Sequence, residues 1–218
     1  MTARNKINTA KTKQAAAITG DVVASSRLAA NKRRRLQKII TAFAEKTAVQ
    51  YRDFHLQMYR GDSLQALLTT NRKTALYLAL QLQIILIMNG FHIRLSIGTG
   101  DISYKGKDVT TSDGTALQLS GTTLDDLKKR NEMIAVVSNE PGFNAEWAVH
   151  CASLNYLLQR LTAPQAAALY WLLQNKKQDE IAKALKISQP SVHQRLQAAG
   201  ANIFQKIIQR FEAVMQQQ

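Results

Sequence analysis

The stretch Phe54-His55-Leu56-Gln57-Met58-Tyr59-Arg60-Gly61-Asp62-Ser63-Leu64-Gln65-Ala66-Leu67-Leu68 decides the fold of this chain. Phe54, Leu56 and Met58 alternate with His55 and Gln57, the two-residue period of a strand. After Arg60-Gly61-Asp62 the apolar residues resume at Leu64, Ala66 and Leu68. Two short runs around a Gly-Asp predict a β-hairpin.

Upstream, Leu36, Ile39, Ile40 and Phe43 recur at helical spacing over Arg27 to Lys46. Before them, Ala15 to Val23 is a short apolar run broken by Gly20 and Asp21, which predicts a buried strand with a polar tip. Ser25 or Ser26 is placed to cap the helix that follows. Downstream, Asn71 to Asn89 is apolar almost all round and predicts a buried helix. Ile93, Leu95 and Ile97 alternate again and run into Gly98-Thr99-Gly100. A polar loop (Asp101 to Asp113), a helix from about Gly114 to Lys129 and a strand from Met133 to Ser138 complete this part. The order β-α-β-β-α-β is the split βαβ, or ferredoxin-like, arrangement. It predicts an α+β fold: one antiparallel sheet with helices on one face.

After Pro141-Gly142 no convincing strand remains. Asn144 to Leu161 reads as one helix with Asn144 a candidate cap, and Thr162-Ala163-Pro164-Gln165 has the capping-box pattern. The expected organisation is a basic flexible tail (1–14), a ferredoxin-like domain (15–142), a connector helix (143–160) and an all-α helix-turn-helix domain (161–218).

That last domain rests on Gln178 to Leu196. Ile181 and Leu185 lie one turn apart and bury a first helix. Ala182 sits where two helices approach, Lys186 and Ile187 make a tight turn, and Ser188 caps a second helix with Pro190 in its first turn. Val192 and Leu196 bury one face. Lys186, Ser188, Gln189, Ser191, His193, Gln194 and Arg195 are then the candidate DNA contacts, as Gln pairs with adenine, Arg with guanine, and Ser holds phosphates. An ordinary helical hairpin would show the same apolar spacing. Farther on, Ile203, Ile207, Phe211 and Val214 form a stripe for the core or for a dimer seam. Gly200 either ends the second helix or is tolerated within a longer one.

Charge separates these parts. The chain has 218 residues, 29 Lys+Arg against 15 Asp+Glu, and a formal charge of +14. Residues 1–50 carry +9, residues 51–158 carry zero and residues 159–218 carry +5. Clustered positive charge favours polyanions through counterion release. Lys32-Arg33-Arg34-Arg35 reads as a solvated helix face that also attracts phosphates. Hydrophobic residues make up 45%, which argues against intrinsic disorder, and a single cysteine, Cys151, excludes an intramolecular disulfide and a cysteine metal cluster. The longest apolar stretch, Leu76 to Met88, is too short to span a bilayer. The expectation is a cytoplasmic protein with no membrane partner. His55, His92, His150 and His193 have no ligand spacing.

Asp21 and Asp62 are the candidate metal ligands. In a split βαβ sheet the first strand and the hairpin are central neighbours, so the two carboxylates can converge on one Mg²⁺ or Mn²⁺ that also takes phosphate oxygens. Ser25, Ser26 and Arg27 follow Asp21 into a predicted helix N-terminus, a ready anion site for a nucleotide or another phosphate-bearing ligand.

These residues resemble two groups of proteins. Asp21, Asp62 and the strand Arg94-Leu95-Ser96-Ile97-Gly98-Thr99-Gly100 are similar to the palm domain of class III nucleotide cyclases over about residues 15–138. That family reads its purine with a Lys where Met58 stands, and carries Asn and Arg where Gln118 and Thr122 stand. The resemblance therefore implies a metal and nucleotide site without the cyclase catalytic set. The chain resembles the SatD family more fully. Gly20-Asp21-Val22-Val23, Ser26-Arg27, Gly61-Asp62-Ser63-Leu64-Gln65, Arg94 to Gly100, Asp113-Gly114-Thr115-Ala116 and Gln178 to Leu196 follow that family's order over nearly the whole chain after residue 15. Ser63 replaces a more usual acidic residue, and Ser120-Gly121 stands where Ala-Arg is common. The SatD resemblance implies a DNA-binding transcriptional regulator with a cyclase-like sensor domain. The expectation is a regulator that binds double-stranded DNA as a homodimer, its cyclase-like domain non-catalytic and serving for sensing or dimerisation. The alternative is a divergent metal-dependent nucleotide cyclase or nucleotide-processing enzyme using Asp21 and Asp62.

Overall fold

The computed structural model describes residues 13–59, 61–102 and 113–217. Five strands form one sheet: β1 (Lys13–Val22), β2 (His55–Tyr59), β3 (Ser63–Leu68), β4 (Ile93–Ile102) and β5 (Ile134–Val137), in the order β2-β3-β1-β4-β5. The first four are antiparallel in the split βαβ order, while β5 joins β4 in parallel, Ile97 opposite Val136. The sheet is thus mixed and not purely antiparallel. The helix between β4 and β5 is the crossover that parallel neighbours require.

The helices are α1 (Ala30–Gln50), α2 (Ala75–Met88), α3 (Thr115–Arg130), α4 (Pro141–Leu158), α5 (Ala163–Leu173), α6 (Gln178–Leu185), α7 (Gln189–Ala198) and α8 (Ala201–Gln217). They lie on both faces of the sheet, against the expectation of one. Side-chain alternation shows why. Ala16, Ile18, Leu64, Ala66, Leu95 and Ile97 point to the α1–α2 face and join the main core. Ala15, Ala17, Leu67 and Ile102 point the other way and bury against Ala116 and Leu117 of α3. A strand with small apolar residues at both parities is buried on both faces. The approach of α3 is close: a Cβ on Gly98 would stand 2.2 Å from the Ala116 carbonyl oxygen and 2.7 Å from the Ser120 nitrogen.

Helix α2 is buried except at Tyr77, Ile85 and Met88, being roofed by the C-terminal helices as well as floored by the sheet. One hydrophobic core runs from β1 through α2 and α4 to Phe204, Ile208 and Phe211 of α8. Buried polar groups are used as ties. Asn155 of α4 accepts from Met133 N (2.6 Å) and Ile134 N (3.0 Å) and donates to Ile134 O (3.0 Å), which covers the outer edge of β5. Asp53 accepts the backbone amides of Thr69, Thr70 and Asn71, which pins the loop after β3.

Several boundaries move. The strand opens at Lys13, so Lys13 and Gln14 belong to β1, while residues 1–12 of the expected tail and most of the 101–113 loop lie outside the described residues. The first helix starts at Ala30 and not at Arg27; Ser25–Arg27 is a 3₁₀ turn with no side-chain cap. The fourth helix starts at Pro141, whose missing N–H suits a first turn, so Asn144 is not its cap. The Asn144 amide instead brackets Ser138, its oxygen accepting from Ser138 N and its nitrogen donating to Ser138 O. The Thr162–Gln165 pairing forms, with Thr162 N donating to Gln165 Oε1 at 3.0 Å. Gly200, at φ +67°, ends α7. On α8 the buried stripe is Phe204, Ile207, Ile208, Phe211 and Met215, with Ile203 exposed and Val214 only partly buried.

Candidate functional site

β1 and the β2–β3 hairpin carry their aspartates to the same end of the sheet. Asp21 is the register partner of Ser63, the residue after Asp62. Gly61, at φ +80°, makes the three-residue hairpin loop that presents Asp62. Val22 N donates to Asp62 O at 3.0 Å, locking the loop to the tip of β1. Ala24 follows in the left-handed region (φ 54°), a strained setting for a residue with a Cβ. That turn aims Ser25 back at the hairpin, where its hydroxyl donates to Asp62 Oδ2 at 2.6 Å.

Asp21 points to the α3 side. Its neighbours are Lys128 Nζ at 3.9 Å, Ser63 Oγ at 3.5 Å and Arg94, its register partner on β4. Burial raises the Asp21 pKa above the ordinary carboxylate value; the Lys128 charge opposes this, the Asp62 charge reinforces it, and Arg94 and Ser63 oppose it weakly. The two aspartates are therefore close enough to repel. Arg94 Nε is buried without a hydrogen-bond partner among the described residues.

On the other side of Asp62, a cavity of about 140 Å³ is lined by Ser25, Ser26, Leu28, Arg33, Leu36, Gly61 and Asp62. Ser25, Ser26 and Asp62 thus share one cavity; Asp21 does not line it and Arg27 is exposed outside it. Ser25 to Arg27 do not form the expected helix N-terminus, because α1 begins three residues after Arg27. Arg33 supplies the cation there, one of the basic run that the sequence reads as a solvated face. Lys128 and Arg94 are the other neighbours that sequence reading did not bring to Asp21; they reach it across α3 and β4, and no local pattern signals that.

Among the described residues no group of three or more His, Cys, Asp or Glu side chains is placed to hold a metal ion. Asp21 and Asp62 are the two carboxylates that the described residues bring to this end of the sheet, a pair that suits Mg²⁺ or Mn²⁺ shared with phosphate oxygens and water. The mutual repulsion at Asp21 and Asp62 is an electrostatic fit to a cation. Gln118 Nε2 donates to Asp113 Oδ1 at 3.2 Å and Thr122 Oγ1 to Gln118 O at 3.1 Å, so both are occupied within their own segment. Met58 packs against the main core.

In the C-terminal part of the chain, α6 and α7 are joined by Lys186 to Ser188, with Lys186 left-handed at φ 55°. Ile181, Ala182, Val192 and Leu196 are buried. Lys186, Ser188, Gln189, His193 and Gln194 are exposed, while Ser191 and Arg195 are half-buried. Ser188 Oγ accepts from Ser191 N at 3.3 Å and lies 2.9 Å from Ser191 Oγ, so these two hydroxyls are partly used on each other. No helix among the described residues is long and apolar enough to cross a membrane.

The strand order and the acidic pair define an α+β protein built on a split βαβ sheet with an aspartate at the tip of β1 and another on the hairpin. The sequence signature of the SatD family matches residues 15–214, and the chain belongs to that family. No curated protein matches the sequence. Among solved structures, a bacterial light-regulated adenylyl cyclase is similar at 16% identity and TM-score 0.43, over 58% of this chain and 77% of that one. The adenylyl cyclase CyaB from P. aeruginosa is similar at 16% identity and TM-score 0.39, over 53% and 73%. The adenylate/guanylate cyclase/hydrolase from Silicibacter pomeroyi is similar at 21% identity and TM-score 0.43, over 53% and 71%.

Proposed function

We propose that this protein binds a nucleotide through a divalent cation shared by Asp21 and Asp62, with phosphates reaching the cavity of Ser25, Ser26 and Arg33. What supports the reading is the Asp21–Asp62 pair: two carboxylates from separate elements, one of them held protonation-prone by burial and by the charge of the other. A divalent cation relieves that repulsion, and Arg33 and Arg94 are the nearby positive groups for phosphate oxygens. Cyclisation is not part of the reading. Gln118 and Thr122 bring no positive charge to a departing pyrophosphate, and Met58 offers no donor to a purine. Calorimetric titration with ATP or GTP in the presence of Mn²⁺ tests it. Heat of binding that disappears in Asp62→Ala and Asp21→Ala is expected; unchanged binding in both variants would overturn it.

A second reading rests on a different observation, the exposed polar face of α7. Gln189, His193 and Gln194 stand outward on a helix whose other face is buried, after a three-residue turn. This fits double-stranded DNA, with α7 in the major groove and Lys186 and Ser188 at phosphates. Retardation of DNA at low salt that is lost in Gln189→Ala/Gln194→Ala is the expected result. Equal loss on preferred and random sequences would assign these residues to phosphates alone.

A further inference from the structure

Helix α4 carries an outward face that the fold leaves unpartnered. Val149 is 67% exposed and Tyr156 59%, two of the largest apolar exposures on the molecule. Ala145 and Ala152 are exposed on the same face. Positions 145, 149, 152 and 156 follow the alternating four-three-four spacing of a coiled-coil seam. The inward faces of α4 are already committed: Asn155 to β5, Trp147 to Phe211 and Glu146 to Arg210.

We propose that this seam pairs with the same seam of a second copy, two α4 helices running antiparallel about a two-fold axis between residues 150 and 151. In that register each layer sets a large side chain on a small one. Val149 meets the partner's Ala152, and Tyr156 meets the partner's Ala145. The alanines let the helix axes approach to about 8 Å, the short end of helix packing distances. Because the contact is isologous, every such layer occurs twice.

Charge complements the register. Arg160 lies just beyond the C-terminus of α4, stacked 3.9 Å over the Tyr156 ring, and has no carboxylate partner among the described residues. Glu140 lies just before the N-terminus, exposed and also without an ion-pair partner among the described residues. An antiparallel pair brings Arg160 beside the partner's Glu140 at both ends of a seam about 27 Å long. A parallel pair would set Arg160 against Arg160. A protein of charge +14 repels its own copies, so an apolar seam with opposite charges at its two ends favours self-association where much of the remaining surface opposes it.

Sedimentation equilibrium of the full chain without nucleotide, metal or DNA tests the inference. Wild type is expected to reach twice the monomer mass. Val149→Glu is expected to raise the dimer dissociation constant about tenfold or more, because each glutamate then loses its hydration against the partner's Ala152 with no opposite charge to pair with. Arg160→Glu and Glu140→Arg are each expected to weaken the dimer a few-fold, and the double variant to recover wild-type association. Circular dichroism confirms that each variant is folded. A monomer at every concentration, a dimer indifferent to Val149→Glu, or a double variant no better than the singles overturns the proposal.

Discussion

Replacing Gly98 by Ala, with Gly121→Ala as its counterpart, tests how the α3 layer is fixed to the sheet. A Cβ on Gly98 would lie 2.2 Å from Ala116 O and 2.7 Å from Ser120 N. Both are backbone atoms, so relief requires lifting α3 and not merely turning a side chain. Forced overpacking of this kind costs about 1–3 kcal/mol. Gly121 lies inside the same helix, and its added Cβ would meet nothing within 4 Å. There the change to Ala removes only backbone freedom and stabilises by about 1 kcal/mol. In a chain of this size 1 kcal/mol moves Tm by about 2–4 °C. Thermal unfolding followed by circular dichroism should therefore show Gly98→Ala melting about 2–12 °C lower and Gly121→Ala about 2–4 °C higher. The consequence reaches the site, because α3 also supplies Lys128 at Asp21 and Ser120 to Thr19, at 2.7 Å between hydroxyls. Mn²⁺ affinity should rise with Gly98→Ala, as lifting α3 draws the competing Lys128 away from Asp21, and stay unchanged with Gly121→Ala. Equal melting temperatures for wild type and Gly98→Ala would refute the close-approach reasoning.

Other consequences are independent of that pair. Asn155→Ala leaves two buried amides and a carbonyl unpaired at β5; at about 1–3 kcal/mol per group it should destabilise by several kcal/mol in denaturant unfolding. Asp21 has a raised folded-state pKa, so the folded protein binds more protons than the unfolded chain from about the ordinary value of 3.8 upward; stability is lost as pH rises through the folded value. Asp21→Asn should accordingly flatten the acid limb of the stability profile and raise stability at neutral pH, while abolishing Mn²⁺ binding. Mn²⁺ affinity of wild type should rise with pH through that same window and then level off. Lys128→Gln removes the cation that competes at Asp21, so calorimetry should show Mn²⁺ alone binding a few-fold tighter.

The order of strands was legible because β2 to β4 show period-two alternation, β1 and β5 are short apolar runs, and the hairpin has its Gly-Asp. The second helix was legible too, since a stretch from Leu76 to Met88 apolar on every side has to be enclosed. The two-faced sheet was harder to read. Ala15 and Ala17 are small and apolar like Ala16, and nothing local says that α3 will come to cover them. The site divides in the same way. Asp21 and Asp62 stand out by their position after a strand and in a turn. The start of α1 does not: Ser25 and Ser26 look like caps, but the left-handed Ala24 turns Ser25 onto Asp62 and the helix waits until Ala30. Arg33, hidden in a run of like residues, gains its place from the cavity alone. On α8 the stripe keeps Ile207 and Phe211, while Phe204 and Met215 take the buried places expected of Ile203 and Val214.

The central claim is that one divalent cation sits between Asp21 and Asp62. Crystals grown with Mn²⁺ and a non-hydrolysable nucleotide, measured for manganese anomalous scattering, address it directly. The account predicts an anomalous peak within coordination distance of both carboxylates, with phosphate density running toward Ser25 and Arg33. A peak held by other residues, or nucleotide density with no manganese at the pair, would contradict it.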